Sequence, residues 1–279
     1  MPSVPFLKMH GLGNDFVVVD SRAQAFDPSP EETRALADRR TGIGFDQLII
    51  VEPPRQGLAD AFMRIRNADG GEVEACGNAT RCVARLVMDE LGRGHAIVET
   101  VAGLLDAEAM PEGLVAVDMG PARLDWREIP LREAVDTLRI PIAAGPLADP
   151  VATNMGNPHA TFFVADAEAV ALAEFGPVLE NHRMFPERAN IGVAQILDPG
   201  RIRLRVWERG VGITRACGTG ACAAQVAACR RGLTGRRADV VLDGGTLTIE
   251  WLADGHVLMT GPAAVSFRGS FDLPYGRAA

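Results

Sequence analysis

The sequence predicts a mixed α/β protein built from two related halves. Three observations support this fold class. The 279 residues exceed the roughly 100–200 residues of a usual single domain. Short β-branched or apolar runs bounded by turn residues alternate with a few segments of helical periodicity. A stretch of the first half also recurs, 141 positions later, in the second half.

The repeat is centred on two cysteines. Residues 64–78 are echoed by residues 205–219, which align Cys76 with Cys217, and a glycine follows each cysteine. A polar residue, Asn67 or Glu208, lies nine positions before each of them. A repeat of this length is too long for a solenoid unit. It therefore indicates two domains of like fold.

Two weaker echoes occur in the same order along the chain. Asn14 and Asn157 each follow a glycine and precede an apolar run that ends at an aspartate. Residues 44–49 resemble residues 192–197, an alignment that equates Gln47 with Gln195.

Proline and glycine residues are scattered between residues 120 and 150, where we expect the boundary between the halves. The expected domains are residues 1–120, rejoined by 265–279, and residues 121–264.

Local patterns predict mostly strands in each half. The expected strands are 16–20, 47–52, 61–66, 97–100, 113–119, 161–164, 201–207, 246–251 and 256–260. Helices are expected at 30–40, at 77–91 with Gly92 as C-cap, and at 218–229.

Composition excludes several classes of protein. A formal charge of −8 and a pI near 5.2 argue against a nucleic-acid binder, which needs a basic face. No run approaches the roughly 20 apolar residues of a membrane helix. The first 20 residues contain one lysine and no signal-peptide pattern. We therefore expect a cytoplasmic protein without a membrane partner.

The five cysteines lack the paired spacing of a zinc site. By default each is a small buried hydrophobe, and this interpretation is kept for Cys82, Cys222 and Cys229. Cys76 and Cys217 differ, because each lies at the mouth of an expected helix. Free N–H groups and the positive helix end stabilise a thiolate there, and they can also hold a substrate carboxylate.

Two such helix ends suit the inversion of a stereocentre. This reaction needs a base on one face of a carbon and an acid on the other, each with a pKa near the working pH. Oriented N–H donors would stabilise the charge that develops on the carboxylate of an amino acid. The residues alone thus favour a cofactor-independent amino-acid epimerase that uses Cys76 and Cys217.

Four motifs resemble those of the diaminopimelate epimerase family. They lie in the expected order, and the match runs from residue 6 to about residue 270. The motifs are residues 8–16, 66–78, 155–159 and 208–220.

The resemblance implies that LL- and meso-2,6-diaminopimelate are interconverted without pyridoxal phosphate or metal, in lysine and peptidoglycan precursor synthesis. It implies two pseudo-symmetric domains, each a curved, mostly antiparallel sheet around a central helix, and a homodimer. Cys76 and Cys217 would be the catalytic acid/bases, and His159 and Glu208 would set their pKa values. The implied substrate-binding residues are Asn14, Gln47, Asn67, Gly77, Asn78, Asn157, Asn190, Glu208, Arg209, Gly218 and Thr219.

Plainer interpretations stand beside these roles. Adjacent Glu208 and Arg209 could hold the distal head of an amino acid or form a solvated surface pair. The asparagines could be turn residues, and His159 a packed histidine. The chain also departs from the family pattern near its motifs, at Ala75, Ala79-Thr80 and Ile213.

Two other functions stay open. A proline or hydroxyproline racemase also uses two opposed cysteines, although Glu208, Arg209 and the asparagines favour a substrate with a second amino-acid head. A thiol-based redox or binding protein with a Cys76–Cys217 couple belongs to a different class.

Overall fold

The computed structural model describes residues 3–74 and 76–272. The chain divides into two compact units. Unit 1 joins the residues up to Val117 with those from Gly261 onward, and unit 2 is the continuous segment Asp118–Thr260. The Pro- and Gly-rich stretch 120–150 thus belongs to unit 2. Ala75, one of the departures from the family pattern, lies outside the described residues.

Unit 1 begins with two strands and ends with the strand nearest the C-terminus. Its elements are β1 (Ser3–Gly11), β2 (Asn14–Asp20), α1 (Pro30–Ala37), β3 (Gln47–Glu52), β4 (Ala61–Asn67), β5 (Glu72–Val73), α2 (Gly77–Leu91), β6 (His95–Thr100), β7 (Gly103–Ala109), the 3₁₀ turn Pro111–Gly113, β8 (Leu114–Pro121) and, after unit 2, β19 (Ala264–Asp272).

Unit 2 contains the other two helices. Its elements are β9 (Ala143–Ala144), β10 (Leu147–Ala148), β11 (Val151–Asn154), β12 (Pro158–Phe163), α3 (Leu172–Glu180), β13 (Asn190–Asp198), β14 (Arg201–Glu208), β15 (Gly212–Thr214), α4 (Gly218–Arg230), β16 (Arg237–Leu242), β17 (Gly245–Trp251) and β18 (His256–Pro262).

The two units share one order of strand pairing. In unit 1, β1 pairs antiparallel with β2, β2 parallel with β3, and β3 antiparallel with β4. Strand β4 then pairs antiparallel with β5 and parallel with β6, and β6, β7 and β8 follow as antiparallel neighbours. Strands β11 to β18 repeat this sequence of pairings step by step. The expected fold class, two like halves with mostly antiparallel sheets, is confirmed.

Each unit packs one long helix against its strands. Helix α2 contacts β1, β6 and β7, and α4 contacts β11, β13 and β17. Helix α4 consists largely of alanine, glycine and cysteine because its position among several strands leaves little room for larger side chains. As predicted, Gly92 is the C-cap that follows α2, and it adopts the left-handed conformation.

Unit 1 has one strand without a counterpart in that order. Strand β19 pairs antiparallel with β1 over residues 3–10. Phe271 on β19 lies in the core of unit 1 and contacts the rings of Phe6 and Phe26. The two ends of the described chain therefore form one part of the same sheet.

Several elements differ from the sequence prediction. Helix α3 was not expected, because Gly176 and Pro177 interrupt its helical pattern. The strand prediction also missed β1, β7, β11, β13, β16 and β19, together with the short strands β5, β9, β10 and β15. Helix α1 ends at Ala37 rather than at residue 40. Leu91, the last residue of α2, is half exposed. Among the described residues, no helix is long and apolar enough to cross a membrane.

Candidate active site

In unit 1, Cys76 occupies the N-cap position immediately before α2, with extended backbone angles. Its thiol donates to Asn14 Oδ1 over 3.9 Å, a weak sulfur hydrogen bond. Asn78, in the first turn of the helix, donates through Nδ2 to the same oxygen at 3.2 Å. Three expected site residues, Asn14, Cys76 and Asn78, are thus brought together at one helix end.

Two further expected residues lie on adjacent strands of unit 1. Gln47 begins β3 and faces Asn67 at the end of β4. The side chain of Gln47 donates to Asn67 Oδ1 at 3.0 Å. The side-chain oxygen Oε1 of Gln47 is buried without a hydrogen-bond partner in the structure. Since buried polar atoms are normally satisfied, this acceptor suits a donor group on a ligand.

In unit 2, Cys217 occupies the matching N-cap position before α4. Its Sγ accepts from the backbone N–H of Gly220 at 3.4 Å and lies 3.6 Å from the hydroxyl of Thr219. The residue is only 4% exposed. Glu208 also contacts the thiol through a side-chain hydrogen bond.

The environment of Cys217 differs from the sequence expectation. Burial raises the pKa of its thiol well above the usual value, and the charge and hydrogen bond of Glu208 raise it further. Thr219 and the Gly220 N–H act in the opposite direction but are weaker. The helix end by itself therefore does not make this thiol acidic.

His159 lies on β12 and is 2% exposed. Its Nε2 lies 2.7 Å from Asn157 Oδ1, so this nitrogen carries the proton that the amide oxygen accepts. Burial and the nearby charge of Arg209 lower the pKa of His159 to about 3. The imidazole is thus neutral over the physiological range.

Arg209 is held by Asn190 and the loop before β13. The Arg209 backbone N–H donates to Asn190 Oδ1 at 2.9 Å, and Asn190 Nδ2 donates to the carbonyl of Pro158 at 3.0 Å. The guanidinium donates to the carbonyl of Glu187 at 2.9 Å. Glu208 and Arg209 are each partly buried, so they do not form a freely solvated pair.

Strand register shows which residues of the two units are equivalent. Phe16 on β2 pairs with Gln47 on β3, and His159 on β12 pairs with Asn190 on β13. Asn190 is therefore the counterpart of Gln47. The sequence alignment of Gln47 with Gln195 was wrong, because Gln195 lies farther along β13, opposite Arg203.

The equivalence covers both helix ends. Glycines 77 and 218 open the two helices, and each unit supplies five polar or thiol side chains at matching positions. The pairs are Asn14 with Asn157, Gln47 with Asn190, Asn67 with Glu208, Cys76 with Cys217, and Asn78 with Thr219.

Sequence reasoning missed an ionic cluster beside Asn14. Asp15 accepts hydrogen bonds from Lys8 and Arg39. Burial raises the pKa of Asp15, but these two bonds outweigh burial and lower its pKa to about 2. Asp46 accepts from Asn14 Nδ2 at 3.0 Å and from Arg39 at 2.8 Å. Lys8 and Asp15 are seven residues apart, as are Arg39 and Asp46, but no local pattern relates the first pair to the second.

Metal ligands are not grouped in the part of the chain that the structure describes. No set of three His, Cys, Asp or Glu side chains there could hold a metal ion.

The fold is shared with solved epimerases and related proteins. A hydroxyproline epimerase from Agrobacterium vitis superposes with a TM-score of 0.69 at 18% identity, covering 97% of this chain and 93% of that one. A phenazine biosynthesis protein from Bacillus anthracis gives a TM-score of 0.69 at 16% identity, covering 98% and 100%. The architecture is therefore that of a structural class that includes amino-acid epimerases.

Sequence comparison narrows the class to one family. The model of the diaminopimelate epimerase family matches residues 6–124 and 151–266. A diaminopimelate epimerase from Rhodospirillum centenum is 63% identical, over 95% of this chain and 91% of its own length. One from Phenylobacterium zucineum is 59% identical, over 97% and 98%. The chain belongs to the diaminopimelate epimerase family, and it is an isomerase.

Proposed function

We propose that the protein interconverts LL- and meso-2,6-diaminopimelate by moving the α-proton between Cys76 and Cys217. The observation that carries this proposal is the matched N-cap position of the two thiols in two units of identical strand order. Membership of the family and the names of the close relatives support the substrate.

The chemistry requires two groups that exchange one proton on opposite faces of a carbon. A thiol and a thiolate meet this need, because they exchange roles when the reaction reverses. The first-turn N–H groups of α2 and α4 are suitable donors for the α-carboxylate, on which charge accumulates in the transition state. Gly77 and Gly218 leave space for that carboxylate beside the backbone.

We further propose that Cys217 is a thiol in the resting enzyme. Burial and Glu208 both oppose ionisation of Cys217. The enzyme would therefore start a turnover with the proton on Cys217.

Recognition of the substrate would depend on the paired polar residues of each unit. Glu208, beside Cys217, suits a substrate ammonium group, and the Arg209 guanidinium suits a carboxylate. Gln47, Asn67, Asn157 and Asn190 would supply neutral donors and acceptors. These groups match a substrate with two zwitterionic ends better than a cyclic imino acid.

Exchange of the α-proton for deuterium tests this proposal. In D₂O, the protein should label diaminopimelate and leave proline unlabelled. Cys76→Ser and Cys217→Ser should each lower the epimerisation rate by about 10²–10⁴-fold, the usual contribution of a general acid or base. Exchange into proline alone would contradict the substrate, and a fully active double Cys→Ser variant would contradict the mechanism.

We propose that no pyridoxal phosphate or metal takes part, so dialysis against a chelator and a carbonyl reagent should leave the rate unchanged. We also propose that the enzyme works in the cytoplasm as a homodimer, as the family resemblance implies. Light scattering coupled to size-exclusion chromatography should then give twice the 29.7 kDa chain mass.

A further inference from the structure

A chain of hydrogen bonds crosses the Cys76 end of α2 within unit 1. It begins at Arg81, whose Nη2 donates to Asn78 Oδ1 at 2.8 Å. Asn78 Nδ2 donates to Asn14 Oδ1 at 3.2 Å, and Asn14 Nδ2 donates to Asp46 Oδ2 at 3.0 Å. Two side chains of α2, one of β2 and that of Asp46, just before β3, are thus joined in one line.

The two ends of this line differ in their chemistry. A guanidinium has only donors, and a carboxylate has only acceptors. An asparagine amide can be turned either way, and its two orientations have the same shape. Because Arg81 can only donate and Asp46 can only accept, every amide between them must direct its oxygen toward Arg81 and its nitrogen toward Asp46.

The direction of this line of hydrogen bonds determines which atom of the Asn14 amide faces the Cys76 sulfur. With its nitrogen committed to Asp46, Asn14 presents its carbonyl oxygen, which lies 3.9 Å from Cys76 Sγ. The opposite orientation would present an N–H donor to the sulfur. A carbonyl stabilises the thiol and fixes the direction of its S–H bond, whereas an N–H would stabilise the thiolate.

Arg81 is rigidly held in this arrangement. It is the largest fully buried side chain among the described residues, at 0% exposure. Its Nε donates to the carbonyl of Pro262 at 3.3 Å. A Cβ atom at Gly11 would lie 3.0 Å from its Nη2 and 3.3 Å from Asn78 Cβ. Close packing on this side therefore keeps the guanidinium against Asn78.

We propose that Arg81 is a positioning residue which, together with Asp46, sets the direction of this hydrogen-bond line and so presents the Asn14 carbonyl to Cys76. Its importance for catalysis rests on the proposed function of Cys76, but its effect on the thiol does not. The device is confined to unit 1, because the position equivalent to Arg81 in unit 2 is Cys222.

Other charged and titratable groups border the line. Asp46 also accepts from Arg39 and from the Asp15 backbone N–H, and Asp15 is bound by Lys8. Cys82 lies one turn beyond Asn78, and burial raises its pKa to about 12. A change in charge at Arg81 or Asp46 would also alter the reactivity of Cys76 directly. The test must separate this effect of charge from the effect of the direction of the line.

A double-mutant cycle makes this separation. Arg81→Gln and Asp46→Asn each replace one end by a group that can both donate and accept, while the other end still fixes the direction. Only the double variant loses both constraints. Removal of the positive charge of Arg81 should slow alkylation of Cys76, and removal of the negative charge of Asp46 should speed it. If only charge mattered, the double variant would therefore react at nearly the wild-type rate.

The measurement is the rate of Cys76 alkylation by iodoacetamide without substrate, followed by peptide mass spectrometry, with Cys229 of unit 2 as internal reference. We expect the double variant to exceed the product of the single effects by on the order of tenfold, as an N–H donor lowers the thiol pKa by about one unit. Arg81→Lys with Asp46→Asn is the matched control, because lysine only donates. It should show no excess.

A rate in the double variant equal to the product of the single effects would overturn the inference. If Arg81→Gln does not fold, judged by circular dichroism, the wild-type protein provides the second measurement. With selectively ¹⁵N-labelled asparagine, the Asn14 side-chain amide protons should show no nuclear Overhauser effect to the Cys76 β-protons. A strong effect would mean the reverse orientation and would also overturn it.

The outcome is independent of the proposed activity. If wild-type protein exchanges no α-proton but the alkylation cycle shows the excess, the proposed function fails and the positioning role stands. If exchange occurs and the cycle is additive, the positioning role fails alone.

Discussion

At the residue scale, opposing effects on one thiol define the Cys217 end of the molecule. A helix N-terminus favours a thiolate, and the N–H of Gly220 does point at the sulfur. Burial and the Glu208 carboxylate nevertheless prevail and raise the pKa of Cys217. The Glu208 carboxylate thus favours the protonated form of Cys217, which is the form that an acid needs.

Replacement of Glu208 by glutamine should make Cys217 more reactive. The negative charge now disfavours the thiolate, so its removal lowers the pKa of Cys217 and increases the thiolate fraction at neutral pH. We expect alkylation of Cys217 at pH 7 to rise on the order of tenfold, one unit of pKa. Cys229 is the internal reference, and an unchanged or slower rate at Cys217 would contradict the assigned role of Glu208.

His159 should make the protein sensitive to acid. Its folded-state pKa of about 3 lies below the unfolded value of about 6.5, so the unfolded state binds more protons. The stability associated with neutral His159 is fully present above pH 6.5 and is lost as pH falls toward 3.

His159→Phe should remove this part of the pH dependence, because Phe16 occupies the equivalent position in unit 1. Between pH 7 and pH 4.5, the wild-type free energy of unfolding should fall by about 2.5 kcal/mol more than that of the variant. Urea denaturation at the two pH values measures the difference. Equal losses in both proteins would rule out His159 as the source.

At the element scale, α3 is held in place by its contact with β14. Trp207 on β14 donates through its indole N–H to Glu180 Oε2 at 2.7 Å, at the end of α3. Gly176 on the same helix faces this ring, since a Cβ atom there would lie 2.5 Å from Trp207 Cδ2. The absence of a side chain at residue 176 lets the indole lie against the helix.

Gly176→Ala should therefore destabilise the protein, although alanine is the better helix former by about 1 kcal/mol. The ring cannot move aside without losing its bond to Glu180, and overpacking of this kind costs about 1–3 kcal/mol. Urea denaturation followed by tryptophan fluorescence should show the loss. Gly57→Ala is the control, because no atom lies within 4 Å of its Cβ position, and a stabilised Gly176→Ala would show that the ring yields.

Sequence patterns identified the elements whose periodicity is set by local burial, such as α2 and β3, nearly to the residue. They missed α3 because Gly176 is typical of a helix interruption when only the neighbouring residues are considered. The reason for this glycine is its tertiary contact with Trp207. The patterns also gave no sign that Arg81 is fully buried, since charged side chains are almost never fully buried without partners. The bonds to Asn78 and Pro262 that make its burial possible join residues that no local pattern relates.

Only some residues of the candidate site could be predicted from the sequence. The repeat pointed to Cys76, Cys217, Asn67 and Glu208 without any structure. The family resemblance added Asn190. The repeat had aligned Gln47 with Gln195 instead, because residues 44–49 and 192–197 share a glycine followed three positions later by a glutamine. The sequence did not indicate a role for Asp46, because the proposed role depends on the direction of a line of hydrogen bonds that only the structure shows.

At the scale of the whole molecule, the two units differ in how the chain builds them. Unit 2 is one continuous segment with its own apolar cluster, whereas unit 1 needs β19 from beyond unit 2. All three tryptophans, Trp126, Trp207 and Trp251, lie in unit 2. Tryptophan fluorescence therefore reports on unit 2 alone.

A chain truncated after Ala263 should lose unit 1 selectively. Without β19, strand β1 loses one of its two neighbours, and the cluster of Phe6, Phe26 and Phe271 loses a ring. We expect the urea midpoint followed by tryptophan fluorescence to stay close to that of the full chain, while the cooperative loss of helical circular dichroism becomes smaller and broader. Collapse of both signals together would show that the units do not fold separately.

The split of unit 1 also imposes an order on synthesis. Strand β1 leaves the ribosome first, but its partner β19 follows after roughly 250 further residues, which takes about 12–50 s at bacterial and eukaryotic elongation rates of 5–20 residues per second. During that interval all of unit 2 is made and can fold within its own segment. Unit 2 can thus fold before unit 1 is complete. A ribosome that stalls late would release a chain that lacks β19, with the edge of β1 free to pair with strands of other chains.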